Sequence, residues 1–141
     1  MNTKTDTPFA NAAIAYAMIR VGDLDASIDF YTRVLGMTLM HREEFPAGRF
    51  TLAFLGYALP GVASPVTIEL TYNWGRSEAY THGTGFGHIA LRVTDIYAAT
   101  AAAEAAGATV VRPAGPMKAG TEVIAFLTDP DGYRIELVAG H

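Results

Sequence analysis

The chain of 141 residues is long enough for one compact domain or for two small, tightly packed halves. Half of its residues are apolar, which suffices for a real core, and a net charge of −4 without a run of Lys or Arg argues against a nucleic-acid partner. The absence of cysteine excludes disulfides, thiolate metal ligands and a cysteine nucleophile.

The beginning of the chain predicts neither export nor membrane insertion. Residues 1–12 are polar, lack the charged-then-apolar pattern of a signal peptide, and are expected to form a flexible tail. No apolar run reaches the roughly 18 residues that a transmembrane helix needs. We therefore expect a cytoplasmic protein that has no membrane partner.

The first half of the chain predicts a strand, a helix and three further strands. Residues 14–21 form an apolar run of strand length, and Asp23 or Asp25 can cap the helix that follows. Apolar residues then recur at helical spacing until Gly36, which can close the helix. The three further strands are predicted at residues 38–42, 50–55 and 66–71.

The same order of elements recurs in the second half. Residues 88–93 predict a strand, and residues 95–106 predict an alanine-rich helix that stops at Gly107. An Asp-Pro-Asp-Gly sequence at 129–132 is typical of a tight turn. The remaining strands are predicted at residues 109–112, 123–128 and 134–138.

The two halves can also be aligned residue by residue. The segment at 16–24 matches the segment at 88–96, and the Ile-Glu-Leu sequence at 68–70 matches the one at 135–137. Internal similarity of this kind indicates a duplication. We therefore expect an α+β fold of two tandem βαβββ units, at residues 13–75 and 87–141, joined by a linker at 76–86.

Four side chains with potential chemistry fall at equivalent places in the two units. A pseudo-twofold relation pairs Tyr16 with His88 and Glu69 with Glu136. Two carboxylates, an imidazole and a phenol form a ligand set that suits a divalent transition metal better than calcium or a structural zinc site. Each residue taken alone also fits a structural role, as a hydrogen-bonded core residue or a solvated one. The combination favours a metal, because burying two carboxylates without a cation is costly.

Several segments resemble glyoxalase I of the vicinal oxygen chelate superfamily, over about residues 14–139. The Glu-Leu-Thr-Tyr-Asn-Trp-Gly sequence at 69–75 is especially characteristic of glyoxalase I rather than of the superfamily at large. The matching segments are those at 18–24, 27–31, 34–37, 68–75, 87–91, 129–133 and 135–137.

The resemblance implies a lyase. Members of this family isomerise the hemithioacetal of methylglyoxal and glutathione to S-lactoylglutathione, with nickel or cobalt in many short bacterial forms and zinc in others. It implies one divalent metal per site, glutathione as cosubstrate, and a homodimer with its sites at the interface. Tyr16 and Glu69 of one chain are then expected to face His88 and Glu136 of the other.

The resemblance also assigns roles at the metal. Glu69, His88 and Glu136 match three of the four family ligands, and the fourth position, a His or a Gln in the family, falls on Tyr16. Glu136 is the expected base that removes and returns the substrate proton, and Glu69 is suited to the other stereoisomer. A neutral phenol is a poor ligand, and a phenolate needs the cation to help deprotonate it. Tyr16 therefore predicts a weaker or altered metal site, or loss of glyoxalase activity.

Three further residues are candidates for substrate binding. Arg20 and Asn73 match family residues that hold the γ-glutamyl carboxylate of glutathione, and Arg20 alternates with apolar residues on the Tyr16 face of its strand. Lys118, in a Gly- and Pro-containing loop at 115–120, is a candidate for a mobile cationic lid, although such a sequence is also typical of an ordinary surface loop.

Two other functions remain open from the sequence. One is another metal enzyme of the same superfamily, such as a thiol transferase or a ring-cleaving dioxygenase. Ring cleavage usually rests on two His and one carboxylate, which this ligand set does not supply. Neither His82, in a Gly-rich loop, nor His141, the last residue, is well placed to add the second His. The other is a non-catalytic protein that binds a small ligand in the same cleft.

Overall fold

Two four-stranded sheets and two helices make up the computed structural model, which describes residues 7–62 and 65–140. The first sheet contains β1 (Tyr16–Arg20), β2 (Thr38–Phe45), β3 (Phe50–Gly56) and β4 (Thr67–Asn73). The second contains β5 (Ile89–Val93), β6 (Thr109–Pro116), β7 (Val123–Thr128) and β8 (Arg134–Ala139). Helix α1 (Leu24–Asp29) continues as a π-helical turn (Phe30–Val34), and α2 spans Ile96–Ala105.

Both sheets have the same topology. Their strand orders are β1-β4-β3-β2 and β5-β8-β7-β6. In each sheet the strand that comes first in the chain is parallel to its neighbour, the strand that comes last in the chain. The other neighbouring strands are antiparallel. A helix follows the first strand of each unit. The α+β fold of two tandem βαβββ units is thereby confirmed, while the unit boundaries at 13–75, 76–86 and 87–141 stay predictions.

The register of the two parallel strand pairs confirms the internal repeat. Met18 pairs with Glu69 in the first unit, and Ala90 pairs with Glu136 in the second. Tyr16 and His88 lie two residues before Met18 and Ala90, so each shares a sheet face with the glutamate of its own unit. The alignment read from the sequence is therefore also an alignment in space.

Both helices begin and end with the residues that the sequence indicates. The carboxylates of Asp23 and Asp95 each accept the backbone N–H three residues further on, at 3.1 Å. Gly36 and Gly107 follow the helices at φ values of +74° and +103°, which favour glycine. The helical spacing of the first unit is interrupted, however, because the predicted single helix consists of an α-helical and a π-helical part.

The π-helical turn is defined by its hydrogen bonds. The N–H of Leu35 donates to the carbonyl of Phe30, five residues back, at 3.1 Å, and the hydroxyl of Thr32 donates to the carbonyl of Ile28 at 2.7 Å. Thr100 makes the same hydroxyl contact with Ile96 at 2.6 Å in α2, which remains α-helical, so this contact does not by itself produce the wider turn.

A few segments differ from their predicted ranges or lie outside the described residues. Strand β6 continues to Pro116, so the predicted loop at 115–120 begins inside a strand. Residues 1–6 of the predicted tail and His141 lie outside the described residues, and residues 7–12 form two turns. None of the helices in 7–62 and 65–140 is long and apolar enough to cross a membrane.

One hydrophobic core joins the two units. Leu55 and Leu70 of the first sheet belong to the same buried cluster as Leu127 and Ile135 of the second. Each sheet contributes one face to this core, since side chains alternate between the faces of a strand. The opposite faces, which carry Tyr16 and its equivalents, remain open in the single chain.

Candidate metal and substrate site

Glu69 lies on the open face of the first sheet. Its register partners there are Met18 on β1 and Phe54 on β3. Only 8% of Glu69 is exposed, and its Oε1 atom accepts the hydroxyl of Thr71 at 3.3 Å. Among the described residues no cationic side chain lies within 4 Å of it. A carboxylate desolvated to this extent without a cation is costly, so the arrangement suits a bound positive ion.

Tyr16 stands beside Glu69 on the same face. Its ring packs edge-on against Phe54, with the ring centroids 5.2 Å apart and an interplanar angle of 78°. The residue is 49% exposed, so the contact with Phe54 sets the orientation of the ring without enclosing it. The phenol is therefore free to meet a group that approaches the open face.

His88 repeats this arrangement in the second sheet. Its ring packs edge-on against Phe126 with a centroid distance of 5.2 Å and an angle of 77°. Its Nε2 atom lies 3.2 Å from Oε1 of Glu136, whose side chain is 15% exposed. Two ligands of one cation, each at ~2.1 Å, stand about 3.0–3.4 Å apart. The spacing of the His88 and Glu136 atoms therefore fits two neighbouring ligands of a metal.

A single chain does not complete a metal site. Across residues 7–62 and 65–140, no three His, Asp or Glu side chains lie close enough to share one ion. The structure brings His88 and Glu136 together on the second sheet, and Tyr16 and Glu69 together on the first. The predicted ligands are thus divided into two pairs, one on each sheet.

Arg20 and Asn73, the predicted substrate-binding residues, lie near one another at the end of the first sheet. Arg20 lines a cavity of about 240 Å³, to which Tyr80 also contributes. The side-chain amide of Asn73 donates to the hydroxyl of Tyr80 at 2.9 Å. Tyr80, a residue of the predicted linker at 76–86, therefore contacts Asn73 and lines the same cavity as Arg20.

The linker is packed against the body of the protein, which the sequence did not indicate. The ring of His82 stacks on Tyr133 at 4.1 Å and 9°, and the hydroxyl of Tyr133 donates to the carbonyl of Arg20 at 2.8 Å. Phe86 meets the Tyr133 ring edge-on at 5.3 Å. His82 lines the same cavity as Arg20, and in the described part of the chain it joins no group of three His, Asp or Glu side chains that could hold a metal. The aromatic residues within this Gly-rich segment were the sequence signal that could have predicted its packing.

Lys118 is exposed in the short connection between β6 and β7. The N–H of Met117 donates to the carbonyl of Glu122 at 2.8 Å, which closes the connection as a tight turn. No structural contact links Lys118 to the other site residues in the described part of the chain. Its role as a cationic lid stays a prediction.

A further buried carboxylate belongs to Asp129, which the sequence indicated only as a turn residue. Asp129 is 5% exposed, and it accepts the Tyr31 hydroxyl at 2.7 Å and the N–H groups of Asp131 and Tyr133. Burial raises the pKa of Asp129, and these hydrogen bonds oppose the rise. Burial also raises the pKa of Tyr31, so the phenol stays protonated and donates. This pair connects the two units rather than forming part of a metal site.

The chain belongs to the glyoxalase, bleomycin resistance protein and dioxygenase superfamily, whose family model matches residues 13–137. Among individual relatives, the lactoylglutathione lyase of Haemophilus influenzae is 55% identical over 125 residues, which cover 89% of this chain and 90% of that protein.

Solved structures show the same relationship. Glyoxalase I from Zea mays superposes with a TM-score of 0.82 at 42% identity over 89% of this chain, which spans 43% of the length of the maize chain. Glyoxalase I of Leishmania major, described as trypanothione-dependent, superposes with a TM-score of 0.76 at 38% identity. That alignment covers 92% of this chain and 87% of the Leishmania chain.

Proposed function

We propose that this chain acts as a lactoylglutathione lyase, which isomerises the hemithioacetal of methylglyoxal and glutathione to S-lactoylglutathione. The observation that carries the proposal is the 55% identity to the Haemophilus influenzae lactoylglutathione lyase over about nine-tenths of both chains. The pairing of Glu69 and Glu136 at equivalent strand positions agrees with it, since proton transfer next to a carbonyl needs a carboxylate held near a cation.

The complete site is proposed to form between two copies of the chain. Tyr16 and Glu69 of one copy would face His88 and Glu136 of the other in a homodimer with two identical sites. Two features support this arrangement: the candidate ligands are divided between separate sheets, and each of these sheets has an open face. Met18, at 39% exposure beside the buried Glu69, is one of the apolar side chains that a second copy would cover.

The donor set fits a divalent transition metal. One imidazole nitrogen and two carboxylates suit nickel, cobalt or zinc, and we propose nickel or cobalt first. A metal bound there supplies Lewis-acid polarisation of the substrate oxygens. The Tyr16 phenol, directed by its contact with Phe54, is the fourth side chain available to the ion.

The chemistry is a proton transfer between neighbouring carbons. Glu136 takes the proton from the carbon that carries the hydroxyl and the sulfur, and returns it to the adjacent carbonyl carbon. The hydroxyl proton moves to the former carbonyl oxygen, so all atoms are conserved and no organic or redox cofactor is consumed. Glu69, on the opposite side, is placed to do the same for the other stereoisomer.

The peptide part of the substrate is assigned to the first sheet. Arg20 and Asn73 are proposed to bind the γ-glutamyl carboxylate of glutathione, and Lys118 to approach the substrate from the β6–β7 turn. Glutathione as cosubstrate points to the cytoplasm, where it sets the thiol redox poise.

Metal content and turnover measured on one preparation, purified without a chelating tag, test this function. We expect about one divalent metal per chain and formation of the thioester, followed by its absorbance. Protein that is metal-free, ignores added nickel, cobalt and zinc, and produces no thioester contradicts the proposal. Metal without turnover would favour a divergent enzyme of the superfamily, and ligand binding with neither metal nor turnover would favour a binding protein.

A matched pair of variants identifies the metal-binding histidine. His88→Ala is expected to lose most of the metal. His41→Ala is the control, because His41 also contacts a glutamate, Glu43, at 3.0 Å and lies on the open face of the first sheet, with its ring 6.2 Å from that of Phe54, but is not a predicted ligand. Equal metal content in the two variants would remove His88 from the site.

A further inference from the structure

The second unit contacts the backbone of the first unit on both sides of Val21. The hydroxyl of Tyr133 donates to the carbonyl of Arg20 at 2.8 Å. The Oδ1 atom of Asp131 accepts the N–H of Gly22 at 2.9 Å. The residues of these two pairs are 113 and 109 positions apart in the sequence. The point where the chain leaves β1 is therefore held by a distant part of the fold.

The turn that supplies both groups, at residues 129–133, is organised by Asp129. The carboxylate of Asp129 accepts the N–H groups of Asp131 at 2.9 Å and of Tyr133 at 2.8 Å. The N–H of Asp129 donates in turn to the carbonyl of Tyr133 at 2.9 Å. Because both ends of the turn are bonded to one residue, Asp131 and Tyr133 meet the first unit in defined positions.

The first unit is shaped to receive Asp131. A Cβ atom on Gly22 would lie 3.2 Å from Oδ1 of Asp131, so the absence of a side chain at Gly22 permits the close approach. The hydroxyl of Ser27, a residue without exposed surface, donates to the other carboxylate oxygen at 3.4 Å. Both oxygens of Asp131 thus contact the first unit, which is more than a turn at the protein surface requires.

Arg20 stands at the place where such support matters. It is the last residue of β1, and its side chain lies on the open face with those of Tyr16 and Met18. Strand β1 is at the edge of its sheet and has β4 on one side. A guanidinium pairs with a carboxylate through two parallel hydrogen bonds, so the pairing depends on where the backbone places it. Binding groups need to be held within about 0.5 Å of the productive geometry.

We propose that Asp131 and Tyr133 are positioning residues, which place the guanidinium of Arg20 for the carboxylate of the thiol cosubstrate. The inference rests on the proposed function and adds to it two residues of the other unit, which act through the backbone next to Arg20. Loss of either contact weakens binding of that carboxylate and leaves the proton transfer unchanged. KM then rises while kcat is kept, as expected when an interaction is made equally in the ground state and the transition state.

Kinetics with the methylglyoxal–glutathione hemithioacetal and calorimetry with S-methylglutathione test the inference on the full, metal-loaded chain. Asp131→Ala and Tyr133→Phe should each raise KM and Kd about tenfold and leave kcat within about twofold of the wild type. Asp131→Asn keeps an oxygen that accepts the N–H of Gly22, so it should bring both values back to within about twofold. In an Arg20→Met background Asp131→Ala should add less than about twofold, because no guanidinium remains to be placed.

A matched control separates positioning from general stability. Tyr31→Phe breaks a hydrogen bond between the first unit and the same turn, to Asp129 at 2.7 Å, but none to the backbone beside Arg20. It should lower the melting temperature and leave KM and Kd within about twofold of the wild type. Tyr133→Phe keeps the ring that stacks on His82, so this variant tests the inference even where Asp131→Ala does not fold.

Three results would overturn the inference and leave the proposed function intact. The first is an unchanged KM and Kd in both Asp131→Ala and Tyr133→Phe. The second is the same loss of affinity from Asp131→Ala with and without Arg20, which indicates a structural role. The third is an Asp131→Asn variant as weak as Asp131→Ala. A wild type that binds S-methylglutathione without turning over the hemithioacetal contradicts the proposed function instead, and the Kd values then decide the positioning roles.

Discussion

His88 and Tyr16 hold equivalent places in the two halves of the chain. Each ring stands 5.2 Å from a phenylalanine two strands away in its own sheet, at interplanar angles of 77° and 78°. The chemistry of the two rings differs, because His88 approaches Glu136 with a nitrogen at 3.2 Å whereas Tyr16 offers a phenol. The two units thus place a phenol and an imidazole at equivalent positions, each packed in the same way against a phenylalanine.

Tyr16→His is expected to strengthen the metal site. An imidazole at this position, packed on Phe54 as His88 is on Phe126, adds a nitrogen ligand where the wild type has a phenol. We expect metal affinity and turnover to rise about tenfold, which corresponds to ~1.4 kcal/mol. Competition with a chelator and kinetics at full metal loading measure the two effects. Unchanged values in the loaded variant would place Tyr16 outside the metal's coordination sphere.

Mixing two inactive variants is expected to restore activity. Glu69→Gln and Glu136→Gln each damage both sites of their own homodimer if every site takes one glutamate from each copy. In a mixed dimer one site carries both changes and the other carries neither. Because half of the randomly exchanged dimers are mixed and half of their sites are intact, about one quarter of wild-type activity should return.

The complementation needs subunit exchange, so the two variants are refolded together from denaturant. Each variant refolded alone is the control and should stay inactive. Activity of the mixture no higher than the mean of the two controls would contradict a site shared between copies.

Glu136→Gln is expected to lower kcat by about 10²–10⁴ for the substrate stereoisomer that Glu136 serves, without a comparable change in KM. The glutamine keeps the size of the side chain but cannot accept and return a proton, and general acid–base catalysis is worth about this factor. Kinetics and metal content are measured on the same sample. Glu43→Gln, on the exposed strand β2, is the control and should behave as the wild type. A variant with bound metal and near-normal kcat would exclude Glu136 as the base.

Tyr31→Phe is expected to destabilise the fold. The change removes the hydroxyl that donates to the buried Asp129 at 2.7 Å and leaves that carboxylate less satisfied. The free energy of unfolding should fall by ~1–3 kcal/mol in urea titrations. Tyr97→Phe, at an exposed helical position, should change it by less than about 0.5 kcal/mol. Equal stabilities of the two variants would show that the Tyr31–Asp129 contact contributes nothing.

Asp129→Asn is expected to change how stability depends on pH. Burial raises the pKa of the folded Asp129 above its ordinary value of 3.8, so the folded state holds this proton where the unfolded state releases it. The stability contributed by this group is therefore complete below that value and is lost as pH rises through the folded pKa. Asparagine does not titrate, so the free energy of unfolding of the variant should rise relative to that of the wild type between about pH 4 and pH 7. Urea titrations at about pH 4 and about pH 7 measure this change. The same difference in free energy of unfolding between variant and wild type at both pH values would contradict the prediction.

Local patterns were enough to predict most of the architecture. The match between the segments at 16–24 and 88–96 predicted that both units begin with a strand and a helix, and Asp23 and Asp95 proved to be the helix caps. In β4 the buried Ile68 and Leu70 lie on the face opposite Glu69, which is the alternation expected of a strand. These signals are carried by neighbouring residues, so they can be read without knowing the rest of the fold.

The positions of individual side chains depended on residues far away in the sequence. The sequence by itself determined that Glu69, His88 and Glu136 are the candidate ligands, because the internal repeat marks them. Only the tertiary structure decided that these side chains do not come together within one chain, that His82 packs on Tyr133, and that Asp129 is buried against Tyr31, in the part of the chain that the structure describes. Burial and pairing arise from the packing of segments that are about 50 to 100 residues apart, and no local pattern of polarity records which of them meet.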